Sequence, residues 1–145
     1  MRLVIQRVSR AAVRVRGSEV SATGPGLLIL VGCGAGDTGD EPRWLASKVF
    51  GLRIFEDARG KMNLSLEHTR GEVMVVPQFT LYGDASQGRR PSWIKAARPE
   101  VAREQVERFA AELEALGVTV GRGPFQEHLE VELVNDGPVT ILLER

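Results

Sequence analysis

The uninterrupted apolar run Gly26–Gly32 constrains the fold more than any other stretch of the chain. A strand with one face in water alternates apolar and polar residues, whereas an unbroken run of this length is typical of a strand buried on both faces. Residues Val73–Phe79 form a second apolar run and predict another such strand, which leads into Thr80. The sequence therefore predicts a sheet with inner strands that are covered on both sides.

Helical periodicity occurs in two segments. Residues 41–52, with Asp40 as a candidate cap, predict a helix whose apolar face contains Trp44, Leu45, Val49 and Leu52. The second predicted helix, Pro99–Leu116, ends before Gly117, a residue suited to helix C-caps. Its predicted apolar stripe consists of Ala102, Val106, Phe109, Leu113 and Leu116. Two helices among many strands predict an α/β fold, in which mixed β-sheets form a barrel-like layer and both helices pack on one side. A length of 145 residues fits a single domain, residues 1–145.

Composition excludes several classes of site. Lys+Arg and Asp+Glu number 19 each, so no net charge points to a polyanionic partner. Cys33 is the single cysteine, which excludes an internal disulfide, and its apolar surroundings predict a buried, inert thiol. His68 and His128 lack the spacing of metal ligands, and we expect no metal and no cofactor. No apolar run is long enough to span a membrane, and Met1–Ile5 enters a strand pattern without signal-peptide anatomy, so we expect a soluble cytoplasmic protein.

Familiar catalytic and nucleotide-binding motifs are missing. The glycine-bearing loops Gly24–Gly26 and Gly32–Gly36 fit neither the Walker A pattern nor the dinucleotide fingerprint. No Gly-x-Ser-x-Gly elbow occurs, and neither histidine stands near a plausible nucleophile in the sequence. A Ser-His-Asp triad therefore has no support.

The C-terminal segment Val134–Thr140 has two interpretations. Alternating residues precede it and Ile141–Leu143 follows it, so a hairpin turn centred on Asp136–Gly137 is the ordinary explanation. Pro138 complicates that explanation, because it cannot donate to a β-ladder. A cis Gly137-Pro138 bond with a functional role is the second interpretation.

The strand that leaves Val76 runs into a loop that contains glycine and arginine, a sensible place for a site. Arg89 and Arg90 are suited to phosphates or to a terminal nucleotide, although such residues taken alone are more often part of a solvated loop tip. Thr80 is a potential nucleophile without an activating base, so a role as an ordinary strand residue is favoured.

Several of these segments together resemble the D-aminoacyl-tRNA deacylases, nearly from end to end. The similarity lies in residues 1–11 (MRLVIQRVSRA), 52–57 (LRIFED), 60–63 (GKMN), 78–82 (QFTLY), 89–92 (RRPS) and 131–140 (VELVNDGPVT). One departure is visible: the family usually has serine before the Gln-Phe-Thr sequence, and this chain has Pro77. The replacement favours a mechanism in which main-chain atoms matter more than that side chain.

The resemblance implies a homodimer in which a cis Gly-Pro pair reaches into the partner's active site. Carried onto this chain, the carbonyls of Gly137 and Pro138 would hold the α-ammonium of an amino acid esterified to the terminal adenosine of tRNA. They would face Gln78, Phe79 and Thr80 of the other protomer, which the resemblance implies as catalytic residues.

Supporting residues follow from the same resemblance. Arg7 would brace the Gly-Pro segment, with a surface arginine as the alternative, and Arg90 and Pro91 would contact substrate.

The activity that the resemblance implies is hydrolysis of D-aminoacyl-tRNA, with rejection of L-amino acids by collision with the Gly-Pro backbone. Glycine has no side chain to collide, so glycyl-tRNA is an expected substrate. Hydrolysis would be assisted by the 2′-hydroxyl of the RNA, with backbone N–H groups near Phe79 and Thr80 stabilising the oxyanion. Covalent catalysis by Thr80 is the second mechanism. The alternative function is a nucleic-acid-binding dimer without catalysis.

Overall fold

The central strand of the main sheet is Gly26–Gly32 in a computed structural model that describes residues 1–145. Its side chains alternate between two buried clusters, with Leu27 and Ile29 on the side of the helices and Leu28 on the opposite side. All three are fully buried. The prediction of a strand covered on both faces is confirmed.

Eight strands, three helices and one 3₁₀ turn make up the fold. The strands are β1 (Arg2–Val15), β2 (Ser18–Thr23), β3 (Gly26–Gly32), β4 (Phe55–Glu56), β5 (Met62–Leu64), β6 (Glu72–Pro77), β7 (Val120–Arg122) and β8 (Glu130–Glu144). The helices are α1 (Glu41–Phe50), α2 (Leu66–Thr69) and α3 (Pro99–Ala115), and the 3₁₀ turn is Phe79–Tyr82. No helix is both long and apolar enough to cross a membrane.

The main sheet has the order β2-β1-β3-β6-β7, with β8 as a further partner of β1. β1 pairs antiparallel with β3, β2 and β8, while β3–β6 and β6–β7 are parallel. The sheet curls until β7 meets β2: a methyl group added at Gly121 would lie 2.8 Å from the Ser21 hydroxyl. This nearly closed, mixed sheet confirms the predicted barrel-like layer.

The two long helices cover one face of the sheet. α3 contributes Val106, Phe109 and Leu113 to the core, as its apolar stripe predicts, but Leu116 at the end of that stripe is 41% exposed. Gly117 follows in the left-handed conformation at φ +87°. α1 is less regular than predicted, because Trp44 is 42% exposed and carries the Arg145 guanidinium over its ring. Both helices pack on the same side, so the predicted α/β class is confirmed.

The end and the cap of α1 differ from the prediction, since the helix ends at Phe50 and not at residue 52. The Asp40 side chain makes no capping hydrogen bond. The Glu41 carboxylate instead accepts from the backbone N–H groups of Thr38 and Gly39, which satisfies donors just before the helix. The short helix α2 has no apolar periodicity long enough to predict it.

Two larger corrections concern the segments implicated in function. β6 stops at Pro77, and Phe79–Tyr82 forms a 3₁₀ turn, so the interpretation of Thr80 as a strand residue is wrong. The chain also does not reverse at Asp136–Gly137, because residues on both sides pair with β1 within the single strand β8. The hairpin interpretation is therefore wrong.

Truncation of the central aromatic side chain tests the core. We expect Phe109→Ala to lower the free energy of unfolding by about 3–5 kcal/mol, because the ring is fully buried and its removal leaves a cavity. Denaturant unfolding followed by circular dichroism measures the change. Val101→Ala on the exposed face of the same helix is the control, and an equal loss in both variants would contradict this description of the core.

Candidate functional site

The Gly137-Pro138 pair lies on a bulge in the middle of β8. The ladder with β1 moves from Gln6–Thr140 to Val8–Asn135, which leaves four residues of β8 without partners in register. Asp136, Gly137 and Pro138 are exposed, and the Gly137-Pro138 peptide bond is cis. The bulge therefore presents main-chain atoms away from the body of the sheet.

Arg7 binds the bulge from beneath. Its side chain is 5% exposed, so the alternative of a surface arginine is wrong. Its Nε donates to the Asp136 carbonyl at 2.9 Å and its Nη1 donates to the Ile54 carbonyl at 2.7 Å. The carboxylate of Glu56 lies 3.5 Å from Nη2. One buried guanidinium thus joins β1, the bulge and the segment that leads into β4.

Asn135 closes the neck of the bulge, a role that the sequence analysis missed. Its Oδ1 accepts from the Val139 backbone N–H at 2.8 Å, and its Nδ2 donates to the Thr140 hydroxyl at 3.3 Å. Asparagine commonly bonds to nearby backbone in this way. Asparagine two residues before a Gly-Pro pair was the available signal.

The 3₁₀ turn presents two free backbone donors. Its first hydrogen bond runs from the Leu81 N–H to the Gln78 carbonyl, so the N–H groups of Phe79 and Thr80 find no acceptor within the turn. Both residues are exposed, Phe79 to 56%. The Gln78 amide donates to the Thr80 hydroxyl. The turn can therefore offer two adjacent donors to an oxygen with negative charge.

The turn is seated on β3 through close backbone approach. A methyl group at Gly32 would lie 3.0 Å from Leu81 Cβ, and one at Gly34 would lie 2.9 Å from the Tyr82 ring. Glycine at both positions is what allows the turn to sit this close.

Arg2 holds the same turn from the other side, a role that no pattern in the sequence indicates. It donates to the Leu81 carbonyl at 2.6 Å, and its guanidinium stacks 4.8 Å from the Tyr82 ring centroid. The Glu144 carboxylate accepts two further hydrogen bonds from Arg2 at 2.8 and 3.2 Å. Burial and the carboxylates of Asp37 and Glu144 raise the pKa of Tyr82 to about 12, so its ring stays neutral.

A largely apolar cavity of about 480 Å³ opens beside the turn. Gln78 and Phe79 line it, as do residues of α3 and the segment 124–129. Ligand pockets of this volume accept molecules the size of a nucleoside. Gly137, Pro138 and Arg7 of the same chain are not among its walls.

Arg90 and Pro91 lie in an exposed loop near the cavity but do not line it. The loop is closed at its base by two backbone hydrogen bonds of 2.9 Å between Asp84 and Ser92. The structure therefore brings Gln78, Phe79 and Thr80 together in one turn beside the cavity, whereas Gly137, Pro138 and Arg90 of the same chain do not line that cavity.

One serine–histidine pair corrects the sequence analysis, which placed neither histidine near a nucleophile. Ser65 Oγ lies 2.8 Å from His68 Nδ1, but Ser65 is 2% exposed and the pair forms the capping box of α2. Its role is structural. No group of three or more His, Cys, Asp or Glu side chains converges as a metal site requires.

The reactivity of the Cys33 thiol, which lines the cavity, can be used to test the electrostatic environment there. Burial, reinforced by the Asp37 carboxylate, raises the pKa of its thiol to about 12. The thiolate is the reactive form, so we expect no modification of the native protein by a thiol reagent at pH 8 over minutes, and complete modification in denaturant. Rapid labelling of the native protein would contradict this environment.

Comparison with known proteins finds sequence similarity to the deacylases of D-aminoacyl-tRNA. The family model described as D-Tyr-tRNA(Tyr) deacylase matches residues 4–144. A D-aminoacyl-tRNA deacylase of Heliobacterium modesticaldum is 56% identical over 144 residues, which cover 99% of this chain and 96% of the relative. One from Thermotoga petrophila is 54% identical, with 99% and 97% covered.

Two solved structures share the fold. A c-Myc DNA unwinding element binding protein superposes with a TM-score of 0.93 at 36% identity, covering 100% of this chain and 99% of its own. A probable eukaryotic D-amino acid tRNA deacylase superposes with a TM-score of 0.85 at 17% identity, covering 98% and 97%. The second likeness concerns the fold alone.

Proposed function

The chain belongs to the D-Tyr-tRNA(Tyr) deacylase family and is a hydrolase of D-aminoacyl-tRNA, and we propose that it selects the D-enantiomer with main-chain atoms exchanged within a homodimer. In this proposal the Gly137-Pro138 bulge of one protomer enters the site at Gln78, Phe79 and Thr80 of its partner. The observation that carries the proposal is the bulge itself, which is braced by a buried Arg7 yet is exposed and does not line the cavity of its own chain.

The carbonyl oxygens of Gly137 and Pro138 suit an ammonium group. An α-ammonium has three N–H donors and no acceptor, so a pair of carbonyls is a fitting receptor. The Arg7 and Asn135 hydrogen bonds limit how far the bulge can yield when substrate binds. A receptor fixed in this way needs no rearrangement at the moment of binding.

Selection follows from fixing the amine and the ester together. With these two groups held, the remaining substituents of the α-carbon exchange places between enantiomers. The side chain of a D-amino acid points to open space, while that of an L-amino acid collides with the Gly137-Pro138 backbone. A backbone wall that collides with the wrong enantiomer discriminates more strongly than an apolar pocket does. The discrimination of an apolar pocket for one methylene is only about 1–3 kcal/mol. Glycine escapes rejection, so glycyl-tRNA is a further proposed substrate.

The exposed 3₁₀ turn supplies the chemistry. The free N–H groups of Phe79 and Thr80 stabilise the oxyanion that forms when the ester carbonyl is attacked. The cavity accepts the terminal adenosine of the tRNA. The 2′-hydroxyl of that adenosine assists hydrolysis. No side-chain nucleophile is required, which agrees with the absence of a histidine hydrogen bond to Thr80.

Features of β8 support the dimer. β8 pairs only with β1, so its other edge is unpaired along 15 residues. Leu142 is 71% exposed and Val134 is 44% exposed on the same strand. Long unpaired edges with exposed apolar side chains are commonly covered by another chain.

The proposal is tested by incubating the purified protein with D-tyrosyl-, L-tyrosyl- and glycyl-tRNA and measuring ester hydrolysis. We expect rapid release of D-tyrosine and glycine and little release of L-tyrosine. Equal rates on the two tyrosyl enantiomers would end the stereochemical proposal.

Thr80→Ala separates the two mechanisms. We expect the variant to keep activity within about tenfold of the wild type, because its backbone N–H survives and loss of one oxyanion donor costs about 10²–10³-fold. The measurement is kcat on D-tyrosyl-tRNA. A loss of the order of 10⁴-fold in a folded variant would instead identify Thr80 as the nucleophile.

Gly137→Ala tests the bulge. The added methyl group would lie 2.8 Å from Val139 Cγ2 and 3.0 Å from Arg7 Nη2, at a residue with φ +138°. We expect the ratio of D- to L-tyrosyl-tRNA hydrolysis to fall roughly tenfold or more, since a left-handed residue with a Cβ costs ~1–2 kcal/mol before any clash.

Gly60→Ala is the matched control for that substitution. Gly60 also has positive φ, at +70°, but an added methyl group meets no atom within 4 Å. Its D/L ratio should equal that of the wild type. An unchanged ratio in Gly137→Ala would count against the bulge as the stereochemical element.

DNA binding is a second candidate activity, favoured by the 36% identical DNA unwinding element binding protein. It would accompany hydrolysis, since family membership makes a purely non-catalytic dimer untenable. Affinity for duplex DNA, with a salt slope that counts the contacted phosphates, decides this candidate.

A further inference from the structure

The segment 83–98 carries a local excess of positive charge. It contains Arg89, Arg90, Lys95 and Arg98 but one acidic residue, Asp84, whereas the whole chain has 19 residues of each sign. The Asp84 carboxylate is already occupied, because it accepts from the Ser86 hydroxyl at 2.6 Å and from the Lys95 ammonium at 3.2 Å. The segment therefore presents cations that its own acid does not neutralise.

The three arginines have no partner in the chain. Arg89, Arg90 and Arg98 are exposed, and none of them takes part in an ion pair or a side-chain hydrogen bond. Most other arginines on the sheet and on α3 are paired, for example Arg10 with Glu132 and Arg122 with Glu114. Unpaired guanidinium groups are well suited to phosphates.

Two large apolar side chains lie among these arginines. Trp93 is 41% exposed and Ile94 is 88% exposed. The Trp93 ring is fixed on one side, because it meets Phe79 edge to face at 5.3 Å and leaves no room for a side chain at Gly83. An aromatic ring held in this way offers its exposed part for stacking.

Backbone hydrogen bonds hold the segment in place both before Trp93 and after Ile94. Asp84 and Ser92 exchange backbone hydrogen bonds of 2.9 Å before them, and the Lys95 carbonyl accepts from the Ala35 N–H at 2.9 Å after them. Trp93 also lines the cavity beside Phe79. The exposed surface is thus continuous with the mouth of the cavity.

We propose that Arg89, Arg90, Trp93, Ile94 and Arg98, together called the basic-aromatic surface, bind the single-stranded nucleotides of tRNA that precede the terminal adenosine. This inference rests on the proposed function, which puts the terminal adenosine in the cavity. A base stacks on Trp93, Ile94 packs against the next sugar or base, and the arginines contact phosphates.

The combination of residues favours RNA over a protein partner. Surfaces that bind single strands without sequence preference combine basic side chains that follow the backbone with aromatic rings that stack on bases. The buried centres of protein–protein interfaces are instead depleted of charged residues.

The test compares two esters that differ in the proposed contacts. D-tyrosyl-tRNA carries the preceding nucleotides, and D-tyrosyl-adenosine lacks them. For Trp93→Ala, Ile94→Ser and Arg98→Ala, we expect KM for the tRNA ester to rise, by roughly tenfold for the loss of one stacked base. In Ile94→Ser and Arg98→Ala, whose side chains do not line the cavity, the KM for the adenosine ester should change less than about twofold, so the ratio of the two KM values reports the surface. In Trp93→Ala, whose ring also lines the cavity, the KM for the adenosine ester should rise less than the KM for the tRNA ester.

Arg43→Ala is the matched control, since Arg43 is an exposed arginine of α1 without an ion pair. Its KM ratio should equal that of the wild type. A second readout is the salt dependence of affinity for uncharged tRNA, measured by fluorescence anisotropy. Arg98→Ala should lower the slope of log K against log salt by about 0.7, the value for one phosphate contact on a single strand.

The outcomes separate this inference from the proposed function. Variants that bind uncharged tRNA like the wild type and keep its KM ratio would overturn the surface, even if the wild type hydrolyses D-tyrosyl-tRNA. Equal changes in KM for both esters would assign Trp93 to the cavity and would also overturn it. Loss of dimer in Ile94→Ser with an unchanged KM ratio would assign the surface to the subunit contact. Weaker tRNA binding by the variants, with no hydrolysis by the wild type, would support the surface and reject the proposed function.

Discussion

The hydrogen bonds of the buried Arg7 guanidinium are the interaction on which the proposed site depends. Arg7 donates to the carbonyls of Asp136 and Ile54 and lies beside the Glu56 carboxylate. A buried cation is costly unless it is paired and hydrogen-bonded, so these contacts also fix where the bulge can lie. The exposed Gly137-Pro138 pair owes its position to a side chain that solvent does not reach.

The second functional element follows the same principle. The 3₁₀ turn is an irregular end of β6, held against two glycines of the β3 end and by Arg2 at the Leu81 carbonyl. Arg2 and Arg7 both project from β1, the strand that pairs with β8 along its length. β1 therefore positions both the bulge and the 3₁₀ turn. The proposed chemistry uses the backbone N–H and C=O groups of these two features, and the side chains of Arg2 and Arg7 support them.

The sequence predicted the elements that local patterns determine. The run Gly26–Gly32 is buried apart from the half-buried Leu30, and Val106, Phe109 and Leu113 are buried as their helical spacing predicts. These patterns repeat over neighbouring residues, so they can be recognised from the local sequence alone. The bulge at Asp136–Val139 was missed as a bulge, since it depends on contacts with Arg7, about 130 positions away in the chain. The 3₁₀ turn was missed because Phe79 and Leu81 continue the apolar pattern of β6. The resemblance to a known family, and not a spacing pattern, identified Gln78 and the Gly-Pro pair as site residues. In the structure Gln78 lines the cavity, and the Gly-Pro pair lies on the bulge that Arg7 holds.

The arrangement of two protomers around one substrate is the central claim, and a crystal structure with a non-hydrolysable amide analogue of D-tyrosyl-adenosine tests it most directly. The account predicts a dimer in which the ammonium of the analogue lies within hydrogen-bond distance of the carbonyl oxygens of Gly137 and Pro138 from one chain. The analogue's carbonyl should meet the N–H groups of Phe79 and Thr80 from the other chain. An analogue bound entirely within one protomer, with the bulge facing solvent, would contradict the account.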